Sequence, residues 1–422
     1  MNKRFAYTYY FVIILIMALW DGIGVVVPMA FRMMFLAMTF APLIKWKELF
    51  PAVFVSTVTI SFNAFTSPLL PTSISFYIII LLGFAFFSSI RKMVLPSIIF
   101  IIVFVLMTVV DIITQGGFAR PTTRVAMCLL AFVIIMGDGE KSNEHMPYAF
   151  MIIAIVLSYW SIFRPEARMQ AAHAVEGFEE VGVWTDPNYI GCMIALGAVV
   201  AINELMLRKK TLLKTIFSTI TLLLSIFALA YLASRGAIIT LMAGTIVLVL
   251  FDNKAKMLKK LLFMMLMASF LVFMYKSSYF DLAIARFQDE SMVTGTSRTI
   301  IWQQKLDAFF NEGSLMNWLF GFGHIGGFEI GHFGQARAFH NDFVAALVEY
   351  GFVGLILFIY TFYYAIKCSP KSSRLTVCAL LAAYVAVGMT LEPTFSDMPS
   401  SIVFTFFLFY ILMFSTTKEV TE

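Results

Sequence analysis

Arginine and histidine are the residues in this chain whose types and spacing could do chemistry. Arg235 stands in Ser234-Arg235-Gly236-Ala237, and Arg298 opens Ser297-Arg298-Thr299-Ile300-Ile301-Trp302. Arg337 comes three positions before His340 and Asn341. A guanidinium is planar and donates through a fixed fork that matches two oxygens of a phosphate. A histidine, with an unperturbed pKa of about 6.5, can accept or orient a proton near neutral pH. Together these types suit a site that holds a phosphate-bearing ligand and moves a proton.

Further arginines come in pairs. Arg120 with Arg124, and Arg164 with Arg168, are spaced i, i+4, so each pair could share one helical face. They suit acidic sugars and lipid phosphate equally. Arg32 falls inside an apolar run, which places it toward a bundle interior. His324, His332 and His340, with Glu329 among them, are metal-ligand types, but their spacing fits no standard ligand pattern. No metal is expected. The glycine-rich stretch Gly321-Phe322-Gly323-His324-Ile325-Gly326-Gly327 lacks a following Gly-Lys-Ser/Thr and a flanking strand–helix unit. It reads as a lid or a close backbone approach, not a nucleotide loop.

The elements that must position these residues are membrane helices. Of 422 residues, 60% are hydrophobic and 13% charged, against roughly 25% charged in a soluble protein. That balance excludes a soluble enzyme, a disordered regulator and a disulfide scaffold. Cys128, Cys192, Cys368 and Cys378 form no paired framework. Met1 to Arg4 before an apolar run could pass for a signal peptide, but no small-residue cleavage site follows, so it reads as a retained first span.

Apolar runs from 5–20 to 399–415 predict an all-α polytopic membrane protein of about 12–14 transmembrane helices. Among them are 147–163, 188–206, 211–233, 236–251, 341–366 and 374–391; the run 236–251 is short for a full crossing. Three regions result: helices with short loops over 1–275, a large outward loop over 276–340, and C-terminal helices with a short tail over 341–422.

Lysine and arginine in short loops set the orientation. With both termini in the cytoplasm, connectors such as Lys45 to Lys47, Lys254 to Lys260 and Lys367 to Arg374 lie inside. All lysines except Lys276 and Lys305 then fall inside, while Arg120, Arg124, Arg164, Arg168, Arg235, Arg286, Arg298 and Arg337 gather outside. Two readings compete for that gathering: bidentate binding of an outer phosphate ligand, and snorkelling to lipid headgroups.

In the long loop, Ser297 to Phe310 reads as an amphipathic helix capped by Thr296 or Ser297. Trp302, Leu306, Phe309 and Phe310 make its apolar stripe, opposite Gln303, Gln304 and Asp307. It is expected to lie on the outer leaflet or to cap the bundle.

Three blocks resemble the O-antigen ligase and O-antigen polymerase family of bacterial envelope glycosyltransferases. They are Ser234 to Ala237; Ser297 to Trp302 with Leu319 to Gly323; and His340-Asn341 with Leu347 to Leu355. Asp186-Pro187-Asn188-Tyr189 also looks like a family element. The resemblance covers 186–360; the first 180 residues match only in hydropathy.

The resemblance implies a membrane glycosyltransferase (GT-C-like) bundle, a glycan on undecaprenyl pyrophosphate as donor and a lipid-linked acceptor. It implies no nucleotide sugar and no metal or other cofactor. Arg235, Arg298 and His340 match the family's essential arginines and histidine. Substrate contacts are expected from Arg337, Asn341, Trp302, Asp186, Asn188, Arg120 and Arg124. Asn341 could orient the histidine or a sugar hydroxyl. Each position has a plainer reading: Arg235 as a cap at a helix end, Arg298 as an anchor of the surface helix, and His340 as the cap of the helix after it.

The implied function is a polymerase of repeat units for O-antigen or capsular polysaccharide, in the bacterial cytoplasmic membrane with its site on the outer face. A ligase transferring glycan to lipid A core is the first alternative. A flippase or transporter for lipid-linked oligosaccharide is the second, opposed by the lack of internal repeats and by charge clustered at one face. Membrane lipids and a chain-length regulator are the other partners expected; nucleic acid is not.

Overall fold

The structure is a computed structural model. It describes residues 145–163, 187–206, 212–232, 234–251, 297–330, 339–371 and 373–391, with scattered positions in 12–56, 257–276 and 404–411. The expectations for Arg120, Arg124, Arg164, Arg168, Asp186, Arg337, His332 and the spans between 57 and 144 lie outside the described residues.

Nine helices are described: α1 Met146–Phe163, α2 Pro187–Met206, α3 Leu212–Leu232, α4 Arg235–Phe251, α5 Ser297–Glu312, α6 Leu315–Phe320, α7 Gly323–Glu329, α8 Asp342–Cys368 and α9 Arg374–Thr390. No strand occurs among the described residues. The protein is an all-α polytopic membrane protein: α1, α2, α3 and α8 are long and apolar enough to cross a bilayer. α4 and α9 have 17 residues each, so each spans about 25 Å where a hydrocarbon core is about 30 Å.

The bundle buries an apolar core, and unlike a soluble bundle it also carries apolar residues on its outer flanks. On α3 the buried face mixes small or polar residues, Ser218, Thr221, Ser225 and Ala228 among them, with Leu222, Ile226 and Leu229, while Ile216, Ile220, Leu223 and Phe227 face outward. α4 repeats this, with Ala237, Thr240, Gly244 and Thr245 inside beside Leu241 and Leu248, and Ile239, Met242, Ile246 and Leu250 outside. Lipid does not penalise exposed isoleucine, so small residues go to the seams where backbones must approach. Two of the buried hydroxyls return their hydrogen to their own helix, Thr221 to the Phe217 carbonyl and Thr240 to that of Gly236, both at 2.8 Å.

α2 is the central helix, packed against α1, α3, α4 and α9. Gly197 lets α2 close on the Phe150 carbonyl of α1, and Gly244 lets α4 close on Val199 of α2 and Ala383 of α9. Thr376 of α9 donates to Asn203 of α2 at 2.9 Å and ties the pair at the opposite end from the site described below. α4 and α9 pack along their lengths, so that the first turn of α4 meets the last turn of α9.

α8 is broken. Gly351 has φ 67 and ψ −168 inside it, and this frees the Val348 carbonyl to accept from Phe322 N at 2.9 Å. Gly321, at φ 81, abuts the backbone of Glu349 and Tyr350, while Gly351 abuts that of Leu319 and Phe320. The glycine-rich stretch is therefore a close backbone approach that docks α6 and α7 onto the break.

Candidate active site

The last turn of α9 is where the three polar blocks converge. The Arg298 guanidinium, in the first turn of α5, donates to the Thr390 carbonyl at 2.8 Å. That carbonyl lies at the negative end of α9, which favours a cation. Gly236 faces the same threonine; a Cβ there would lie 2.9 Å from Thr390 Oγ1. Gly388, half a turn back, packs on Asp342, whose Oδ2 would lie 3.2 Å from an added Cβ. Residues 234–237, 297–302 and 340–342, far apart in the chain, are thus joined through Gly388 to Thr390.

Arg235 is the first residue of α4 and is half-buried. Its turn is fixed by Ser234. The Ser234 hydroxyl accepts from Ala237 N at 3.4 Å and donates to Asn188 Oδ1 at 3.1 Å. Gly191 supplies the room, since a Cβ on it would meet Ala237 and Ser234. Asn188 therefore has a defined task, holding the start of α2 to the start of α4.

His340 lies in the turn before α8 with φ 51, the positive-φ non-glycine position among the described residues. Histidine enters this left-handed region more readily than most side chains, at a cost of about 1–2 kcal/mol. Both neighbours hold the turn. On one side Asn341 caps α8, its Oδ1 accepting from Phe343 N at 2.9 Å and Val344 N at 3.2 Å. The cap is thus Asn341 and not His340. On the other side Phe339 is buried, and Trp302 of α5 donates from Nε1 to its carbonyl at 2.6 Å.

Burial pushes the His340 imidazole down from its usual value to about 4, and the nearby Arg298 charge adds to the shift. The ring is neutral at physiological pH. Its Nδ1 is buried with no hydrogen-bond partner among the described residues. The arrangement offers a guanidinium for an anion beside a neutral imidazole for a proton.

α5 caps the bundle by packing on α8 and α6. Its inward face differs from the predicted stripe. Ile301, Lys305, Ala308 and Phe309 are buried, Trp302 and Leu306 are half-buried, and Phe310 is exposed. Burial follows the i, i+3, i+4 row that starts at Arg298, which places Lys305 inside. The sequence reading missed Lys305, Asp342, Ser234 and Thr390. One signal pointed to Lys305: it is one of two lysines on the predicted outer face, on the same helical row as Trp302. Among the described residues, no three His, Cys, Asp or Glu side chains gather as a metal site.

No curated protein matches the chain. Residues 220–359, which contain all three blocks, match the family model described as O-antigen ligase, and this match supports an O-antigen ligase/polymerase family.

Proposed function

We propose that the protein is a polymerase that joins lipid-linked oligosaccharide repeat units by glycosyl transfer at the outer face of the bacterial cytoplasmic membrane. The observation that carries this is Arg298 on the last turn of α9 close enough to a neutral, half-buried His340 to depress it, with the Arg235 turn on the same threonine. Enzymes of the matched family act on lipid-linked glycans.

In this reading a glycan on undecaprenyl pyrophosphate is the donor and a hydroxyl of a second lipid-linked repeat unit is the acceptor. The hydroxyl oxygen attacks the anomeric carbon, and its proton passes to His340. The bond from that carbon to the pyrophosphate oxygen breaks, and the electron pair leaves with undecaprenyl pyrophosphate. Arg298 and Arg235 hold the diphosphate and stabilise the charge growing on the bridging oxygen. The diphosphate offsets the guanidinium field that depresses His340, so the imidazole becomes more basic when the donor is bound. A single displacement of this kind inverts the anomeric centre.

Arg337, Arg120, Arg124 and Asp186 are proposed as further substrate contacts on the outer face, and Lys305 and Trp302 as support beneath the site. Purified protein incubated with a synthetic undecaprenyl-pyrophosphate repeat unit should yield a ladder of longer glycans. Absence of a ladder from the wild-type protein, or retention of it by His340→Ala, would defeat the reading. The description of the matched model favours one second reading, a ligase that moves the finished chain to lipid A core. It predicts no ladder, but a single transfer when lipid A core is supplied.

A further inference from the structure

We infer that Lys305 is a positioning residue that, with Trp302, sets the conformation of the His340 turn; the inference rests on the role proposed for His340. Lys305 is fully buried, although it comes from the long polar loop. Burying a lysine is costly unless its head is engaged. Its Nζ donates to the Gly327 carbonyl at 2.8 Å and lies 4.9 Å from the centre of the Phe339 ring. Three residues earlier on α5, Trp302 donates to the carbonyl of that same Phe339. One helix thus grips the residue before His340 by its backbone and by its ring.

The grip has a second arm. Gly327 belongs to α7 and packs on Glu349, where a Cβ would lie 2.8 Å from Glu349 Cγ. α7 is in turn fixed to the break in α8 through Phe322 and Gly321. Lys305 therefore bridges the α7 side of the break to the Phe339 side of the histidine turn. His340 sits in a left-handed conformation that a free turn would leave. Its Nδ1 stays buried and unpartnered only while the turn is held. A histidine displaced by about 1 Å can lose on the order of 100-fold in rate.

Two readouts test this on the full-length protein in nanodiscs. The first needs no turnover: carbethoxylation of His340 by diethyl pyrocarbonate, followed by mass spectrometry. Lys305→Met, which keeps the stem and loses the donor, should raise the rate of modification of His340 about 3-fold or more. Lys305→Arg should raise it less. Trp302→Phe, which loses only the N–H, should act in the same direction. The double variant should fall short of the product of the singles, since both act on Phe339.

The second readout is turnover of a synthetic undecaprenyl-pyrophosphate oligosaccharide. kcat should fall on the order of 10- to 100-fold in Lys305→Met with KM within about 3-fold, because the donor contacts remain. Unchanged modification of His340, or an unchanged kcat in Lys305→Met while His340→Ala is inactive, would overturn the inference. An active His340→Ala would instead remove the catalytic reading and leave the modification result to decide the geometry. Should Lys305→Met fail to accumulate in the membrane, Trp302→Phe carries both measurements.

Discussion

At the scale of single residues, the site depends on charge placed where water is scarce. Arg298 gives a donor to the Thr390 carbonyl, and in the proposed function the remainder of its fork holds the diphosphate. Arg298→Lys retains charge but not the fork, and transfer activity should fall about 100-fold, read as kcat/KM in nanodiscs. His340 makes a sharper prediction through pH. Because burial and Arg298 hold the imidazole near 4, the base form persists well below the usual histidine range. The acid limb of kcat/KM, which reports the free enzyme, should break near pH 4. An inflection near 6.5 would show a solvated imidazole. The same shift affects stability. Between about 6.5 and 4 the unfolded chain takes up a proton that the folded chain refuses, so stability falls as pH drops through that window.

At the scale of elements, the backbone does much of the positioning. Asn341 caps α8 with its side-chain oxygen, so Asn341→Ala should cost about 1 kcal/mol in unfolding while Asn341→Asp keeps most of the cap. Differential scanning fluorimetry in detergent separates the two. The break at Gly351 is stricter. Its φ of 67 and its contact with the Leu319 backbone leave no space for a Cβ. Gly351→Ala should destabilise by about 2 kcal/mol or more and undock α6, seen as faster proteolysis between Glu312 and Ile330. The third sequence block therefore carries two distinct devices, the left-handed His340 turn and a helix break.

At the scale of the whole molecule, the seams of small residues and the apolar flanks predict opposite tolerances. Phe227 is exposed on the flank of α3, so Phe227→Leu should leave melting and activity unchanged. Gly197 lies where α2 meets the Phe150 carbonyl of α1, and Gly197→Leu should abolish monodisperse purification. Gel-filtration profiles of both variants in one detergent decide this. The central helix α2 and the short pair α4 and α9 also explain where the site falls. It sits where α4 begins and α9 ends, so that backbone groups at helix termini, not side chains alone, line it.

Much of this was legible in the residues themselves. A chain with 60% hydrophobic residues and few charges can satisfy its backbone in lipid only as helices, and the runs 147–163, 188–206, 211–233 and 341–366 reappear as α1, α2, α3 and α8 to within a few residues. Arg235, Arg298 and His340 stood out because polar side chains are scarce in such a chain. The fold alone decided their common anchor. Gly388 and Thr390 carry no chemical signal, because their importance comes from contacts with residues 46 to 154 positions away; Lys305 had only its place among the outer lysines to mark it, and its partners Gly327 and Phe339 lie on other elements. Hydropathy and spacing report on a residue's own helix. Which helix ends meet, and which buried lysine clamps which turn, follows from packing between elements, which local pattern does not encode.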